Sequence, residues 1–220
     1  MELSTIQKVA VFALPVLFAI TLHEAAHGYV AKYFGDMTAY AAGRISLNPL
    51  RHIDPVGTIL MPLLTMLTPF IFGWAKPVPV NFANLRNPKR DMLWVAAAGP
   101  FSNLLMAVCW GLLFRISIDM DAGNPAQAWL RSVGEAGVFV NVIFFALNLF
   151  PLPPLDGGRI MVSLLPRRLA FKFAQIERYG FFILLALLFT GILGTVLTPI
   201  VSVTLYFVAL ICGIPSGALL

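Results

Sequence analysis

The feature that most constrains this chain is a pair of histidines with a glutamate, placed in a segment apolar enough to enter a lipid bilayer. Residues 23–27 read HEAAH, and the run 9–22 before them has no Asp, Glu, Lys or Arg. Residues four apart on a helix share a face, so His23 and His27 can bind one metal ion with Glu24 beside it. Ionisable groups in membrane segments are costly and usually functional. The motif therefore favours a zinc hydrolase working at or below a membrane surface.

Composition places the chain among the polytopic membrane proteins. Of its 220 residues, 59% are hydrophobic and 11% are charged, and the mean hydropathy is +0.86, which is outside the range of soluble domains. One crossing takes roughly 20 apolar residues. We expect an all-α fold with about five transmembrane helices: one from about 7 to 31, one each in the uncharged runs 92–114 and 136–155, and two in 179–220.

The polar connections are too short to hold a second domain, which takes roughly 50 residues. We expect a single membrane-embedded domain over 1–220, with a catalytic core at about 7–170 and a C-terminal helical hairpin at about 175–215. The net charge of +5 is attributed to basic cytoplasmic loops. The partners expected are therefore the lipid bilayer and a membrane-protein substrate, with no nucleic acid.

A catalytic zinc ion usually has three protein ligands and an open position for water, so the two histidines need a third ligand. Asp156 is the candidate, because it ends the stretch NLFPLPPLDGG at 148–158. The prolines there end a helix, and the glycines allow a tight turn that can direct the carboxylate inward. The alternative is ordinary turn chemistry, with Asp156 capping the next helix. Beside an intramembrane HExxH motif, the ligand interpretation is preferred.

Together, HEAAH at 23–27 and NLFPLPPLDGG at 148–158 resemble the site-2 proteases, which are intramembrane zinc metalloproteases. The stretches GPFSN at 99–103 and GWAKPVPVN at 73–81 support the resemblance. Order and spacing are similar to the compact bacterial and archaeal branch, without PDZ or CBS domains. The resemblance implies that His23, His27 and Asp156 bind one zinc ion and that Glu24 is the catalytic base. It also implies that Asn148 holds the substrate near the scissile carbonyl.

Convergence of the three ligands on one ion constrains the topology. The helices that carry His23 and Asp156 must cross in the same direction, and the helix at 92–114 must cross in the opposite one. The run 55–75, with prolines at 55, 62 and 69, is then predicted to be a re-entrant or surface element. This arrangement puts 12 of the 15 Lys and Arg residues on one side. The positive-inside rule places that side, the zinc and the C-terminus toward the cytoplasm of a cell membrane, with the N-terminus outside.

A short β-like strand is expected around residues 76–81. Pro77 and Pro79 leave one edge of such a strand without N–H donors, while the N–H groups of Val78 and Val80 face the other edge. That edge could pair with an unwound substrate. A plain proline-rich surface loop is an equal alternative.

Other candidates have weaker signals. Asn148 either donates to the developing oxyanion or ties down a broken helix end. Asn103 either orients a ligand from behind or bonds between helices. Gly99 is interpreted as a helix-packing residue, and His52 with Asp54 as a surface turn. A zinc or other ion transporter and a nonenzymatic membrane adaptor are the rival functions. The sequence leaves the substrate, the cleavage site, the regulatory signal and the oligomeric state open.

Overall fold

The computed structural model describes residues 4–61, 75–121, 124–215 and 217–219, and four long helices in these ranges are candidate membrane spans. By length and composition, the segments able to cross a bilayer are Val9–Tyr33, Pro88–Ile118, Ala126–Asn148 and Ile192–Cys212. The all-α membrane fold expected from composition is confirmed.

The helices are, in chain order, α1 (Thr5–Tyr33), α2 (Thr38–Ala41), α3 (Pro88–Asp119), α4 (Pro125–Asn148), α5 (Asp156–Leu164), α6 (Arg167–Ala174), α7 (Glu177–Phe189) and α8 (Ile192–Cys212). Pro49–Arg51 and Phe82–Asn84 form single 3₁₀ turns, and Pro55–Leu60 forms a π-helical turn. The described residues contain no β-strand.

Helix α1 begins where side chains satisfy its free backbone groups. The Gln7 N–H donates to Ser4 Oγ at 3.3 Å, and the Ser4 N–H donates to Gln7 Oε1 at 2.8 Å, which is a capping box. Pro15 lies inside the helix without ending it. The helix ends just before Gly35, whose φ of +108° suits glycine. This continuous helix carries both histidines to its C-terminal end.

Helix α3 packs antiparallel to α1 and α4 through small residues. A Cβ atom at Gly134 would come within 2.9 Å of the Phe114 backbone. A Cβ atom at Gly137 would lie closer than 3.0 Å to the Trp110 ring. Neither distance is sterically possible, so these glycines let α3 and α4 approach closely, as small residues do between membrane helices.

Helix α8 runs beside α3 in the same direction. The thiol of Cys212 donates to the Val108 carbonyl at 3.4 Å, and Leu205 shares a buried cluster with Ala107. The C-terminal end of α8 therefore lies at the end of the bundle where α1 begins. In agreement, Leu219 lines a cavity together with residues of the N-terminal half of α1.

Two topological expectations are revised by this packing. Within the described ranges, four helices qualify as spans, so a fifth crossing is not confirmed. Helix α7 has 13 residues and is about 20 Å long at 1.5 Å per residue, short of the roughly 30 Å hydrocarbon layer. Because α8 runs beside α3 and Leu219 lines a cavity with the N-terminal half of α1, the described residues 213–215 and 217–219 lie at the end of the bundle where α1 begins. The expectation that they lie on the HEAAH side was wrong.

The expected re-entrant element at 55–75 is described only in part. Asp54 caps the π-helical turn Pro55–Leu60 by accepting the N–H groups of Val56 and Gly57 at 3.0 and 2.7 Å. Residues 62–74 lie outside the described part of the chain, so the re-entrant course remains a prediction.

Residues 76–81, here called the extended segment, lie beside α1 without a strand partner among the described residues. The Lys76 N–H donates to the His52 carbonyl at 3.0 Å, and Arg44 Nη2 donates to the Lys76 carbonyl at 3.0 Å. Loop groups and side chains therefore take the bonds that a neighbouring strand would make.

His52 itself is 1% exposed, with Nε2 2.8 Å from the Ser46 carbonyl oxygen. The turn expected at His52 and Asp54 is present, but the His52 side chain lies in the interior.

Candidate metal centre

Three side chains from distant parts of the sequence meet between α1 and α5. His23 and His27 lie one turn apart near the C-terminal end of α1, and Asp156 is the first residue of α5. All three are buried, with at most 9% exposed. The Asp156 Oδ2 atom lies 3.1 Å from His23 Nε2 and 3.2 Å from His27 Nε2. The two Nε2 atoms are 3.1 Å apart.

This triangle has the dimensions of one face of a tetrahedral metal site. Ligands bound tetrahedrally at about 2.0–2.1 Å from a zinc ion are separated from each other by about 3.3 Å. Two imidazole nitrogens and one carboxylate oxygen are also a common zinc donor set. Asp156 Oδ2 is buried and has no hydrogen-bond donor among the described residues. The three atoms therefore fit a single zinc ion.

The histidine tautomers agree with this arrangement. His23 Nδ1 lies 2.6 Å from Asn103 Oδ1, and His27 Nδ1 lies 2.7 Å from the Val95 carbonyl oxygen. Since both partners accept hydrogen bonds, the ring proton is assigned to Nδ1 in each histidine. The lone pairs of both Nε2 atoms then point toward Asp156 Oδ2. Lone pairs so close together repel one another, and a bound cation would remove that repulsion.

Asn103 holds its orientation through its own contacts. Its Nδ2 donates to Asn141 Oδ1 at 3.1 Å and to the Ala19 carbonyl at 3.3 Å, which turns Oδ1 toward His23. Asn103 and Asn141 are both 0% exposed. The same amide contacts His23 and links α1, α3 and α4, so the interhelical contact is present and a role in orienting a metal ligand remains a prediction.

Gly99 of α3 lies directly against the imidazole rings. A Cβ atom there would come closer than 3.0 Å to His27 Nε2 and to His23 Nε2. The interpretation of Gly99 as a helix-packing residue was incomplete, because what packs against it is the pair of histidines. Only a residue without a side chain leaves the two rings in these positions.

Glu24 adjoins the triangle and contacts the extended segment. Its Oε2 accepts the Val78 N–H at 2.7 Å. The Val78 N–H, expected on an edge that could pair with a substrate, is therefore bonded to Glu24 in this structure. The Val80 N–H has no hydrogen-bond partner within the described part of the chain.

Asn148 ends α4 and faces the same cavity. Its Nδ2 donates to the Phe144 carbonyl at 3.0 Å, one turn back in the helix. This is the helix-end contact considered from the sequence. Because Asn148 also lines the cavity, its expected role in substrate binding remains a prediction.

These groups surround a cavity of about 150 Å³. Besides the two histidines, Glu24 and Asp156, it is lined by residues of the extended segment and by Phe82, Val95, Ala96, Asn148, Pro154, Leu155 and Arg159. A larger cavity of about 350 Å³ lies at the other end of the bundle and contains none of these residues. The smaller cavity is the relevant one, because it brings together His23, Glu24, His27 and Asp156, whereas Glu135 is the one ionisable residue that lines the larger cavity.

Asp36, which sequence reasoning missed, fixes one end of the extended segment. It is 0% exposed and accepts the N–H groups of Asn81 and Thr38 and the Asn84 amide, at 2.8, 3.0 and 3.1 Å. Burial raises the pKa of this carboxyl group, but the hydrogen bonds, including one from the Thr38 hydroxyl, outweigh burial and hold the pKa of Asp36 below its ordinary value. The position of Asp36 just after the end of α1 was the sequence feature that could have pointed to this residue.

The chain is similar in sequence to known proteins. It matches peptidase family M50 over residues 115–191, a stretch that includes Asp156. A Bacillus subtilis protein named as zinc metalloprotease YwhC is 38% identical over 189 residues, covering 85% of this chain and 84% of that protein. A Mycolicibacterium smegmatis protein named as zinc metalloprotease Rip2 is 31% identical over 191 residues, covering 84% and 70%. No solved structure matches the chain.

Proposed function

Because the chain belongs to peptidase family M50, it is an intramembrane zinc metalloprotease, and we propose that it binds one zinc ion through His23, His27 and Asp156. The observation that carries this assignment is the triangle of two Nε2 atoms and one Oδ2 atom, 3.1–3.2 Å on each side. Glu24, which lines the same cavity, is the proposed general base.

Chemistry in this site divides between the metal and Glu24. When bound, zinc supplies Lewis acidity, which polarises a carbonyl group and lowers the pKa of water to about 7. Glu24 takes a proton from the attacking water and returns it to the departing amide nitrogen. The Val78 N–H holds Oε2 in one orientation and leaves Oε1 for that proton.

The substrate is a transmembrane segment that must be unwound, because a helix shields its peptide bonds with its own hydrogen bonds. The extended segment and the metal-binding residues line one cavity, which suits a peptide passing between them. The unpartnered Val80 N–H is the proposed donor to the substrate backbone. Asn148 is proposed to bind the scissile carbonyl, with Val78 acting through Glu24.

The active site is proposed to face the cytoplasmic leaflet of a cell membrane. Of the 15 Lys and Arg residues, all but three lie in segments at the HEAAH end of the bundle, the exceptions being Lys8, Arg115 and Arg131. Positively charged residues favour the cytoplasmic side. The start of α1 and the end of α8 are then on the outer side.

Zinc removal and return test this function. The purified chain in liposomes is expected to cleave a transmembrane substrate, to lose that activity to a zinc chelator, and to regain it at one zinc ion per chain. Mass spectrometry of the peptides and metal analysis of the protein measure both quantities. Zinc flux into the liposomes without any cleavage would instead identify a transporter.

Asn103→Ala is expected to lower zinc affinity by about 10–100-fold, the usual effect of losing a partner of a metal-bound histidine. The reason is that His23 loses the acceptor at 2.6 Å from Nδ1. Competition with a zinc-binding dye measures the affinity. Asn124→Ala is the matched control, because Asn124 caps α4 through the Ala126 N–H at 2.9 Å. Equal affinities in the two variants would contradict the prediction.

A further inference from the structure

Arg159 lines the metal cavity and has no role in the proposed mechanism. It lies three residues after Asp156 on α5. Residues three apart on a helix are neighbours on its surface. The helix that brings Asp156 to the metal centre therefore also brings Arg159 to the cavity.

The guanidinium group is held against the end of the extended segment. Its central carbon lies 5.3 Å from the ring centroid of Phe82, the residue that directly follows this segment. The Arg159 side chain is half-buried. Stacking on an aromatic ring orients the planar group, so less conformational freedom is lost when it binds a ligand.

Within the described residues, Arg159 has no ion-pair partner. The two carboxylates that share its cavity are otherwise engaged, because Glu24 accepts the Val78 N–H and Asp156 contacts both histidines. The five N–H donors of the guanidinium group therefore remain available. Their planar fork matches the two oxygens of a carboxylate.

The route of an unwound peptide brings it to this group. Phe82, at the end of the extended segment, lines the same cavity as Val80 and the metal-binding residues, so a peptide bound between them would pass Phe82 and Arg159. We propose that Arg159 is a specificity residue that binds an acidic side chain of the unwound substrate on one side of the scissile bond. This inference rests on the proposed protease function.

The test uses synthetic transmembrane peptides, starting from one that the wild-type protein cleaves and Glu24→Gln does not. Asp, Asn or Lys is placed singly at each position around the cleavage site, and kcat/KM is measured in liposomes of neutral lipid. The wild type is expected to prefer Asp over Asn about tenfold at one position, as expected for a charge-assisted hydrogen bond. Arg159→Gln removes this preference, and Arg159→Glu changes it to a preference for Lys.

The control is Arg168→Gln, because Arg168 is exposed on α6 at the same end of the bundle and does not line the cavity. It is expected to keep the wild-type preference for Asp. Zinc content should be equal in all variants, which separates a substrate contact from a structural role. Equal cleavage of Asp and Asn peptides at every position by the wild type, or an unchanged preference in Arg159→Glu, would overturn the inference. If no peptide distinguishes the wild type from Glu24→Gln, the protease function itself fails.

Discussion

Glu24→Gln is expected to remove peptide cleavage while the protein keeps its zinc. General base catalysis contributes about 10²–10⁴ in rate, so we expect a loss of roughly a thousandfold. Glutamine has nearly the same size, and its amide oxygen can still accept the Val78 N–H, which is 2.7 Å from Oε2 in the native protein. It cannot, however, carry the proton from water to the leaving nitrogen.

Metal analysis and cleavage of a transmembrane peptide measure the two effects separately. Glu177→Gln is the matched control, since Glu177 is exposed in the first turn of α7 and should leave both quantities unchanged. Retention of more than a tenth of the rate in Glu24→Gln would assign the base to another group. Loss of zinc in that variant would show that Glu24 helps to hold the metal.

Gly99→Ala is expected to remove both zinc and activity. The added methyl group would lie closer than 3.0 Å to the Nε2 atoms of His23 and His27. His23 and His27 are hydrogen-bonded to Asn103 and to the Val95 carbonyl of the same helix, α3, so we expect the added methyl group to displace both rings at once. We expect zinc affinity to fall by more than about 100-fold, beyond the effect of losing one histidine partner.

A zinc titration and a circular dichroism spectrum check this prediction together, because alanine favours a helix and should leave the helix content intact. Gly194→Ala is the control: Gly194 lies in α8, and nothing lies within 4 Å of a Cβ atom built there. Wild-type zinc affinity in Gly99→Ala would show that the helices separate at little cost.

Sequence and structure agree most closely where the geometry is local. The spacing of His23 and His27 predicts a shared helix face, and the turn chemistry before Asp156 predicts an inward carboxylate. The structure brings their ligand atoms within 3.2 Å of one another. The apolar composition predicted the all-α membrane fold for a similar reason, since backbone groups in lipid must be satisfied within a helix.

In the C-terminal region, hydropathy does not predict the number or the direction of the helices. The uncharged run 179–220 is long enough for two crossings, but α7 ends after 13 residues and Gly191, with a φ of +76°, precedes α8. Apolar length sets neither the direction of a helix nor its neighbours. Contacts such as that between Cys212 and Val108 decide that α8 runs beside α3.

The extended segment shows the same limit at the active site. Alternation along residues 77–80 treats the N–H groups of Val78 and Val80 as equivalent. The carboxylate that distinguishes them, Glu24, is 54 residues away in sequence and accepts only the Val78 N–H.

The sequence by itself determined the membrane class and the pairing of two histidines on one helix face, and it predicted Asp156 as their partner, because composition and short-range backbone geometry carry this information. Only the tertiary structure decided that Gly99 lies against the imidazole rings, that Asn103 contacts His23 and that Arg159 lines the cavity. These contacts join residues that are far apart in the chain. Helix packing brings the residues together through complementary shape and hydrogen bonding, which no local sequence pattern encodes.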